Sequence, residues 1–211
     1  MKPSLVDIHA KINDRSASVL GNERFYKFAV FLPLIERQGE LHVLFEVRAH
    51  TLRRQPGEVC FPGGKVDRHD QSPKKAAIRE TCEELGILER EVSVMGELDF
   101  LVTSFQSIVY PFAGVINVAS ELSPNPDEVE EIFTVPLSHF MNHPPERHDI
   151  RVHVQPDDSF PFHLIPNGED YNWSSSSMPE FFYYYRDYVI WGMTARILYH
   201  FIQLLEVENK S

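Results

Sequence analysis

Three glutamates stand close together in the segment Arg79-Glu80-Thr81-Cys82-Glu83-Glu84. At roughly 100° of rotation per helical residue, Glu80, Glu83 and Glu84 fall within an arc of about 100°. Like charges at these spacings destabilise a helix, and one arginine, Arg79, does not neutralise three carboxylates. Hard oxygen ligands on a rigid element suit Mg²⁺ or Mn²⁺. A metal site is one interpretation of the cluster, and a solvated acidic helix face is the other.

A glycine pair, Gly63-Gly64, precedes the acidic segment and follows Phe61-Pro62. Glycine permits positive φ angles and lets the backbone approach a ligand or metal closely. The pair therefore favours a binding function for this part of the chain, although a simple turn explains two glycines equally well.

A helix must carry the glutamates. Ser72 is predicted to cap this helix, Pro73 to occupy its first turn and Gly86 to end it. The side of the helix opposite the carboxylates is expected to pack on the core, and it consists of Ile78, Cys82 and Leu85.

A sheet must lie beneath that helix. β-Branched and aromatic runs predict two strands that form a hairpin about Gln38-Gly39, and further strands at 92–95, 100–102 and 107–116. A loop is expected at 124–128 and a short helix at 137–141. The mixed order of strands and helices predicts the α+β class, as an α/β/α sandwich with a mixed central sheet.

The remaining segments give weaker patterns. Residues 1–24 predict a short helix or an arm packed against the rest of the chain. Two alternating runs between 147 and 165 predict a hairpin about Pro156-Asp157-Asp158, and the serines of 173–179 predict a flexible loop. Apolar residues at helical spacing predict an amphipathic helix from Tyr188 to Leu205.

Composition limits the classes of partner. The 211 residues include 20 Lys+Arg against 31 Asp+Glu, for a net charge of -11. Binding to nucleic acid or to an anionic membrane is therefore disfavoured. Two cysteines without a disulfide or zinc spacing fit a reducing compartment, and neither a signal peptide nor an apolar stretch of membrane-spanning length is visible. We expect a cytoplasmic protein.

Taken together, the glycines and the acidic segment resemble the signature of the Nudix hydrolases, usually written G-x5-E-x7-R-E-U-x-E-E-x-G-U. Asp70 stands where the first glutamate is usual, eight residues rather than seven separate it from Arg79, and Thr81 replaces an aliphatic residue. The aspartate and the longer spacing are similar to those of the coenzyme A pyrophosphatase subgroup.

An upstream motif resembles the same subgroup, which shows L-L-T-x-R-(S/A)-x3-R-x3-G-x3-F-P-G-G. Arg48-Ala49, Arg53 and Gly57 keep this spacing before Phe61 to Gly64, whereas Phe45-Glu46 replaces Leu-Thr. The similarity extends over roughly residues 28–205. It implies a Nudix domain at 28–205 that includes the C-terminal helix, an N-terminal arm or helix at 1–27 and a tail at 206–211.

The resemblance implies roles for the residues of the box. Glu80, Glu83 and Glu84 would hold Mg²⁺ or Mn²⁺, with the backbone carbonyl of Gly63 as a further ligand. Glu83, Glu84 and Arg79 are the expected catalytic residues, and Glu83 is favoured as the base that accepts a proton from the attacking water. A base or ligand from a loop stays open, and the loop candidates are Glu128, Glu130 and Glu131.

Candidate substrate contacts are Arg48 and Arg53, because a guanidinium matches a phosphate bidentately. Gly64 and Lys65 are further candidates at the glycine pair. For Arg48 and Arg53, ordinary surface ion pairing is the alternative.

The implied function is metal-dependent hydrolysis of the diphosphate of coenzyme A or its thioesters. The products would be 3′,5′-ADP and 4′-phosphopantetheine or its acyl derivative. One alternative is a Nudix pyrophosphatase for ADP-ribose, NADH or another nucleoside diphosphate derivative, and a more distant one is a non-catalytic Nudix-fold binding module. The expected partner is a small nucleotide substrate, with neither nucleic acid nor membrane, and a homodimer is left open.

Overall fold

A mixed sheet forms the centre of the molecule. The computed structural model describes residues 3–117 and 122–207. In this part of the chain the sheet contains eight strands: β1 (Tyr26–Arg37), β2 (Glu40–Arg48), β3 (Val59–Cys60), β4 (Gly63–Lys65), β5 (Val92–Glu97), β6 (Leu101–Thr103), β7 (Ser107–Ile116) and β8 (Val129–Pro136).

Strand pairing makes the sheet mixed. The main order is β3-β2-β1-β7-β5, while β4 pairs with β1, β6 with β7 and β8 with β2. β1 and β7 run parallel, and the other pairs are antiparallel. The predicted hairpin about Gln38-Gly39 is confirmed, since Arg37 pairs with Glu40 across the turn.

Helices cover both faces of the sheet, because successive side chains of a strand point to opposite sides. Phe31 of β1 packs in a cluster with Ala77 and Leu85 of helix α2 (Pro73–Leu85). Its neighbour Leu32 packs in the opposite cluster with Leu198 of helix α4 (Gly192–Val207). The predicted α+β sandwich is therefore confirmed.

Local chemistry sets the ends of α2 as predicted. The backbone N–H of Lys75 donates to the Ser72 hydroxyl, and Pro73 occupies the first turn. Gly86 ends the helix in the left-handed conformation at φ 66°, which costs glycine little. The N-cap at Ser72 contributes about 1 kcal/mol to helix stability.

In the C-terminal third, the strand pairing and the start of two elements differ from the expectations. Strand β9 (Glu146–Val152) pairs with β10 (Ser176–Tyr185), so the hairpin predicted within 147–165 is wrong. β10 also begins inside the loop predicted at 173–179. Tyr188–Ile190 forms the short strand β11, so the last helix begins at Gly192 rather than Tyr188. Alternating polarity identifies strands, but it does not identify their partners.

Two short helices and the chain ends complete the description. The helix expected at 137–141 is confirmed as α3 (Leu137–Asn142). The N-terminal helix α1 (Leu5–Ile12) forms, but its side chains are exposed rather than packed on the domain. The expected domain limits stay a prediction, and most of the 206–211 tail lies outside the described residues. In the described part, no helix has the length and apolar character to cross a membrane.

Candidate active site

The glycine pair lies in β4, directly against β1 and α2. Gly63 has a φ of 151°, and a Cβ atom there would lie 2.4 Å from the carbonyl oxygen of Ala29. At Gly64 a Cβ atom would lie 2.4 Å from the carboxyl carbon of Glu80. Gly63 therefore requires glycine, whereas a side chain at Gly64 would displace the Glu80 carboxylate. The predicted close approach of backbone to functional groups is present.

The three glutamates differ in exposure because α2 presents them to the sheet at different angles. The Glu83 side chain is 54% exposed and the Glu80 side chain 16%, whereas Glu84 is 5% exposed. The solvated-face interpretation therefore fits Glu83 alone. Thr81, which departs from the signature, is buried, and its hydroxyl donates to the carbonyl of Ala77 at 2.7 Å.

Glu84 joins the helix to the glycine pair. The backbone N–H of Gly63 donates to Oε2 of Glu84 at 2.7 Å. Burial raises the pKa of Glu84, and the nearby carboxylate of Glu46 raises it further. Among the box glutamates, Glu84 is thus the one held in the interior without a basic partner in the described residues.

Arg79 organises the other carboxylates. Its Nε and Nη2 atoms donate to the two oxygens of Asp70 at 3.1 and 3.0 Å. It also pairs with Glu80 at 2.9 Å and with Glu83 at 3.0 Å. The hydrogen bond from Arg79 lowers the pKa of the Asp70 carboxyl. Asp70 thus anchors the arginine that partly neutralises the cluster.

Sequence reasoning did not assign Glu46 to the site. It lies on β2 with 1% exposure, and the Cys60 thiol donates to its Oε1 at 3.6 Å. Its Oε2 is buried and has no hydrogen-bond partner among the described residues. Burial raises the pKa of Glu46. The available signal was an acidic residue inside the apolar strand run 43–47.

Of the loop acids, Glu128 belongs to the site. It is half-buried, and the Asn125 amide donates to it at 3.1 Å. Burial is the main reason that the pKa values of Glu46, Glu80 and Glu84 are raised, and the charge of Glu128 raises them further. Glu130 and Glu131 are exposed, and Glu131 accepts a hydrogen bond from Tyr188 instead.

These carboxylates fit a divalent cation in their chemistry. In the described ranges, no group of three or more acidic, His or Cys side chains already surrounds a common point as metal ligands would. Arg79 engages Glu80 and Glu83, and the Gly63 amide engages Glu84. Nevertheless, one oxygen of Glu46 has no hydrogen-bond partner in the described residues, and the pKa of Glu84 is raised. Both carboxyl groups are oxygen donors without a positively charged ion-pair partner among those residues. A bound cation would supply that charge.

A cavity of about 490 Å³ opens beside the glycine pair. Arg48 and Arg54 line it, and the Arg48 side chain donates to the carbonyl of Arg54 at 3.4 Å. Apolar side chains from the sheet, from the loop after β6 and from the start of α4 complete the wall, and they include Phe28, Val59, Phe61, Phe105, Trp191 and Met193. Glu58 also lines the cavity, which therefore combines two cationic groups and one carboxylate with an apolar surface.

The structure separates the substrate candidates. Arg48 and Gly64 line the cavity, whereas Arg53 is not among its lining residues. Lys65 is also exposed, with its ammonium 6.0 Å from the ring centroid of Tyr26. Its backbone carbonyl accepts from Arg79 at 3.3 Å. Arg54, which sequence reasoning missed, is the second arginine of the cavity.

Comparisons with known proteins agree with this architecture. Residues 25–155 match the NUDIX domain family. A mouse protein named peroxisomal coenzyme A diphosphatase is 42% identical over 116 residues, or 55% of this chain and 49% of the mouse protein. The chain thus aligns with about half the length of that relative.

Two further comparisons cover more of the chain. A Nudix hydrolase named NudL from Photorhabdus laumondii is 32% identical over 179 residues, or 85% of this chain and 84% of the relative. The crystal structure of a MutT/nudix family protein from Enterococcus faecalis aligns with a TM-score of 0.51 at 16% identity. That alignment covers 97% of this chain and 70% of the other, and at this identity it bears on the fold alone.

Proposed function

Because this chain belongs to the Nudix hydrolase family, we propose that it cleaves the diphosphate of coenzyme A or its thioesters with the help of Mg²⁺ or Mn²⁺. The observation that carries the substrate assignment is the cavity beside Gly63-Gly64, whose lining contains two arginines, Glu58 and a set of apolar side chains. Arginines can bind the phosphates of coenzyme A, and apolar side chains can pack against its pantetheine arm. The name of the mouse relative supports the same substrate.

A divalent ion explains how an acidic protein handles a polyanion. With a net charge of -11, the chain repels a diphosphate unless cations lie between them. Glu80 and Glu84 would hold the ion, with Glu83, the Gly63 carbonyl, Glu46 and Glu128 as further donors. When bound, the ion neutralises phosphoryl oxygens and lowers the pKa of water.

Side chains of the protein would position the substrate and the attacking water. Arg79 holds Glu80 and Glu83 in place through its anchor on Asp70. Glu83 is the exposed box glutamate, so it is the one reached by solvent water, and we assign to it the proton from the attacking water. Arg48 and Arg54 would hold the substrate phosphates, and the apolar wall would exclude water around the pantetheine arm.

The test compares substrates under one set of conditions. With Mg²⁺ present, we expect kcat/KM for coenzyme A to exceed that for ADP-ribose at least tenfold, or about 1.4 kcal/mol. Dephospho-coenzyme A should be intermediate if the 3′-phosphate is recognised. Mass spectrometry should identify 3′,5′-ADP and 4′-phosphopantetheine. Equal or faster cleavage of ADP-ribose would assign the enzyme to another nucleoside diphosphate derivative, and no cleavage of any of these would favour a binding module.

The cellular context stays a prediction. The mouse relative is named peroxisomal, while we expect this chain in the cytoplasm, as a monomer or homodimer that binds neither nucleic acid nor membranes. Imaging of the tagged protein and light scattering would check location and oligomeric state.

A further inference from the structure

A second cavity, of about 360 Å³, lies at the far end of the β1–β2 hairpin. It is lined by residues of the β1–β2 turn, of β8 and of the β10–β11 turn. Val30, at the glycine pair, and Arg37, at this cavity, lie on the same strand. At about 3.3 Å per residue they are roughly 20 Å apart, so this cavity is separate from the site described above.

The second cavity has the opposite charge to the molecule as a whole. Arg37 and Arg186 line it, and none of its described lining residues is acidic, in a chain of net charge -11. Within residues 3–117 and 122–207, neither arginine forms an ion pair. The Arg186 guanidinium lies 5.1 Å from the ring centroid of Tyr185, a contact that orients it without neutralising it. Asp187 lines a different, neighbouring cavity.

Aromatic and polar groups complete the wall. The rings of Phe133 and Tyr188 are stacked at a centroid distance of 3.7 Å and an angle of 3°. The Tyr188 hydroxyl donates to Glu131 at 3.1 Å, which fixes the ring. The Nδ1 atom of His42 is buried and has no hydrogen-bond partner in the described part of the chain. Gln38, at a φ of 55°, adds an amide from the turn.

We propose that this second cavity binds an organic phosphate that carries a planar ring. Two guanidinium groups that form no ion pair in the described residues match phosphate oxygens. Phe133 is already stacked between Tyr188 and Phe45, so a planar ring would pack on the outer face of Tyr188. The volume lies within the range of small-molecule sites. The proposal is independent of the reaction assigned to the first cavity.

Calorimetric titration with AMP tests the proposal, in EDTA so that the carboxylate site does not bind the probe through a metal. We expect AMP to bind the wild-type chain, and the Arg37→Gln/Arg186→Gln variant to bind it at least tenfold more weakly. The matched control is Arg90→Gln/Arg151→Gln, which removes the same charge from exposed arginines elsewhere and should change the affinity less than twofold. Adenosine should bind at least tenfold more weakly than AMP, and so should inorganic phosphate.

Several outcomes would overturn the proposal. An equal loss in the control variant would mean that bulk charge governs binding. A loss caused by Arg48→Gln instead would place AMP in the first cavity. Hydrogen exchange on the wild-type chain gives a readout that needs no variant. AMP should protect the β1–β2 and β10–β11 turns, and no protection at either turn would contradict binding there.

Discussion

Gly64 and Glu80 are in such close contact that a Cβ atom at Gly64 would lie 2.4 Å from the Glu80 carboxyl carbon. The atom that would have to move is the end of a side chain, not backbone. The Gly64 backbone is not in the left-handed region, so alanine would meet no conformational strain there. The glycine therefore determines where the carboxylate lies, more than how the chain folds.

Replacing this glycine should separate activity from stability. We expect Gly64→Ala to displace Glu80 and lower kcat/KM at least tenfold, or about 1.4 kcal/mol, while Tm changes by only a few degrees. Gly96→Ala is the matched control, because a Cβ atom there would meet nothing within 4 Å. Steady-state kinetics and thermal unfolding of both variants provide the measurement. Full activity in Gly64→Ala would show that the close contact is dispensable.

The box glutamates should be needed for chemistry rather than for folding. We expect Glu83→Gln and Glu84→Gln each to lower the rate at least 100-fold, or about 2.7 kcal/mol, because glutamine keeps the size of the side chain but removes its charge. Glu89→Gln, an exposed acid just beyond α2, should retain the rate. Losses of tenfold or less at both box positions would mean that the site lies elsewhere.

Much of the fold follows from local chemistry in the sequence. Ser72, Pro73 and Gly86 act through their own backbone preferences, so the limits of α2 could be predicted. The pairing of β9 with β10 could not, because it joins segments separated by a long loop. Turn residues at 156–158 suggested a nearer partner. Local patterns carry no information about a strand partner across such a distance.

In the candidate site too, local features could be predicted from the sequence and long-range contacts could not. The arc formed by Glu80, Glu83 and Glu84 is a property of one helix and was visible in the sequence. The contributions of Glu46 and Arg54 depend on how β2 and the following loop lie against α2 and α4. The resemblance named Arg53, which stays a prediction, whereas the loop conformation that places Arg54 in the wall of the cavity was not visible in the sequence.

Removal of divalent ions should abolish activity. We expect no turnover in EDTA and recovery with Mg²⁺ or Mn²⁺, since the buried Glu46 and Glu84 form no ion pair in the described part of the chain. Millimolar Mg²⁺ should also raise Tm, because it binds the folded chain in preference to the unfolded one. The Glu84→Gln variant should show a smaller rise. Undiminished turnover in chelator would contradict the metal assignment.

Without metal, stability should fall as the pH rises above the carboxylate range. Burial raises the pKa of Glu46 and of Glu84 above the ordinary value of 4.5. The folded chain therefore holds protons that the unfolded chain releases, and their stabilising effect is complete below pH 4.5 and is lost as pH rises through the raised pKa values. For each such proton, the free energy of unfolding falls by up to about 1.4 kcal/mol per pH unit.

Urea unfolding in EDTA between pH 5 and 8 measures this effect. The decline should be shallower in Glu46→Gln, which removes one of the two buried carboxyls, and unchanged in the exposed variant Glu89→Gln. The acids whose pKa is lowered, such as Asp70, lose their contribution only below this window. A decline of equal slope in Glu46→Gln and the wild type would exclude this pair as its source.

Arg54 and Arg53 should differ in their effect on substrate binding despite being neighbours in sequence. Both side chains are exposed, but Arg54 lines the cavity beside the glycine pair and Arg53 does not. A charge-assisted hydrogen bond to phosphate contributes roughly 1.5–3 kcal/mol, so Arg54→Gln should raise KM for coenzyme A at least tenfold. Arg53→Gln makes the same change in net charge one residue away, and we expect less than a threefold effect on KM.

Steady-state kinetics on the two variants, with ADP-ribose as a second substrate, would show whether the contact is to a phosphate that both molecules share. The opposite ranking would restore Arg53 as the substrate contact and would mean that the loop rearranges when substrate binds.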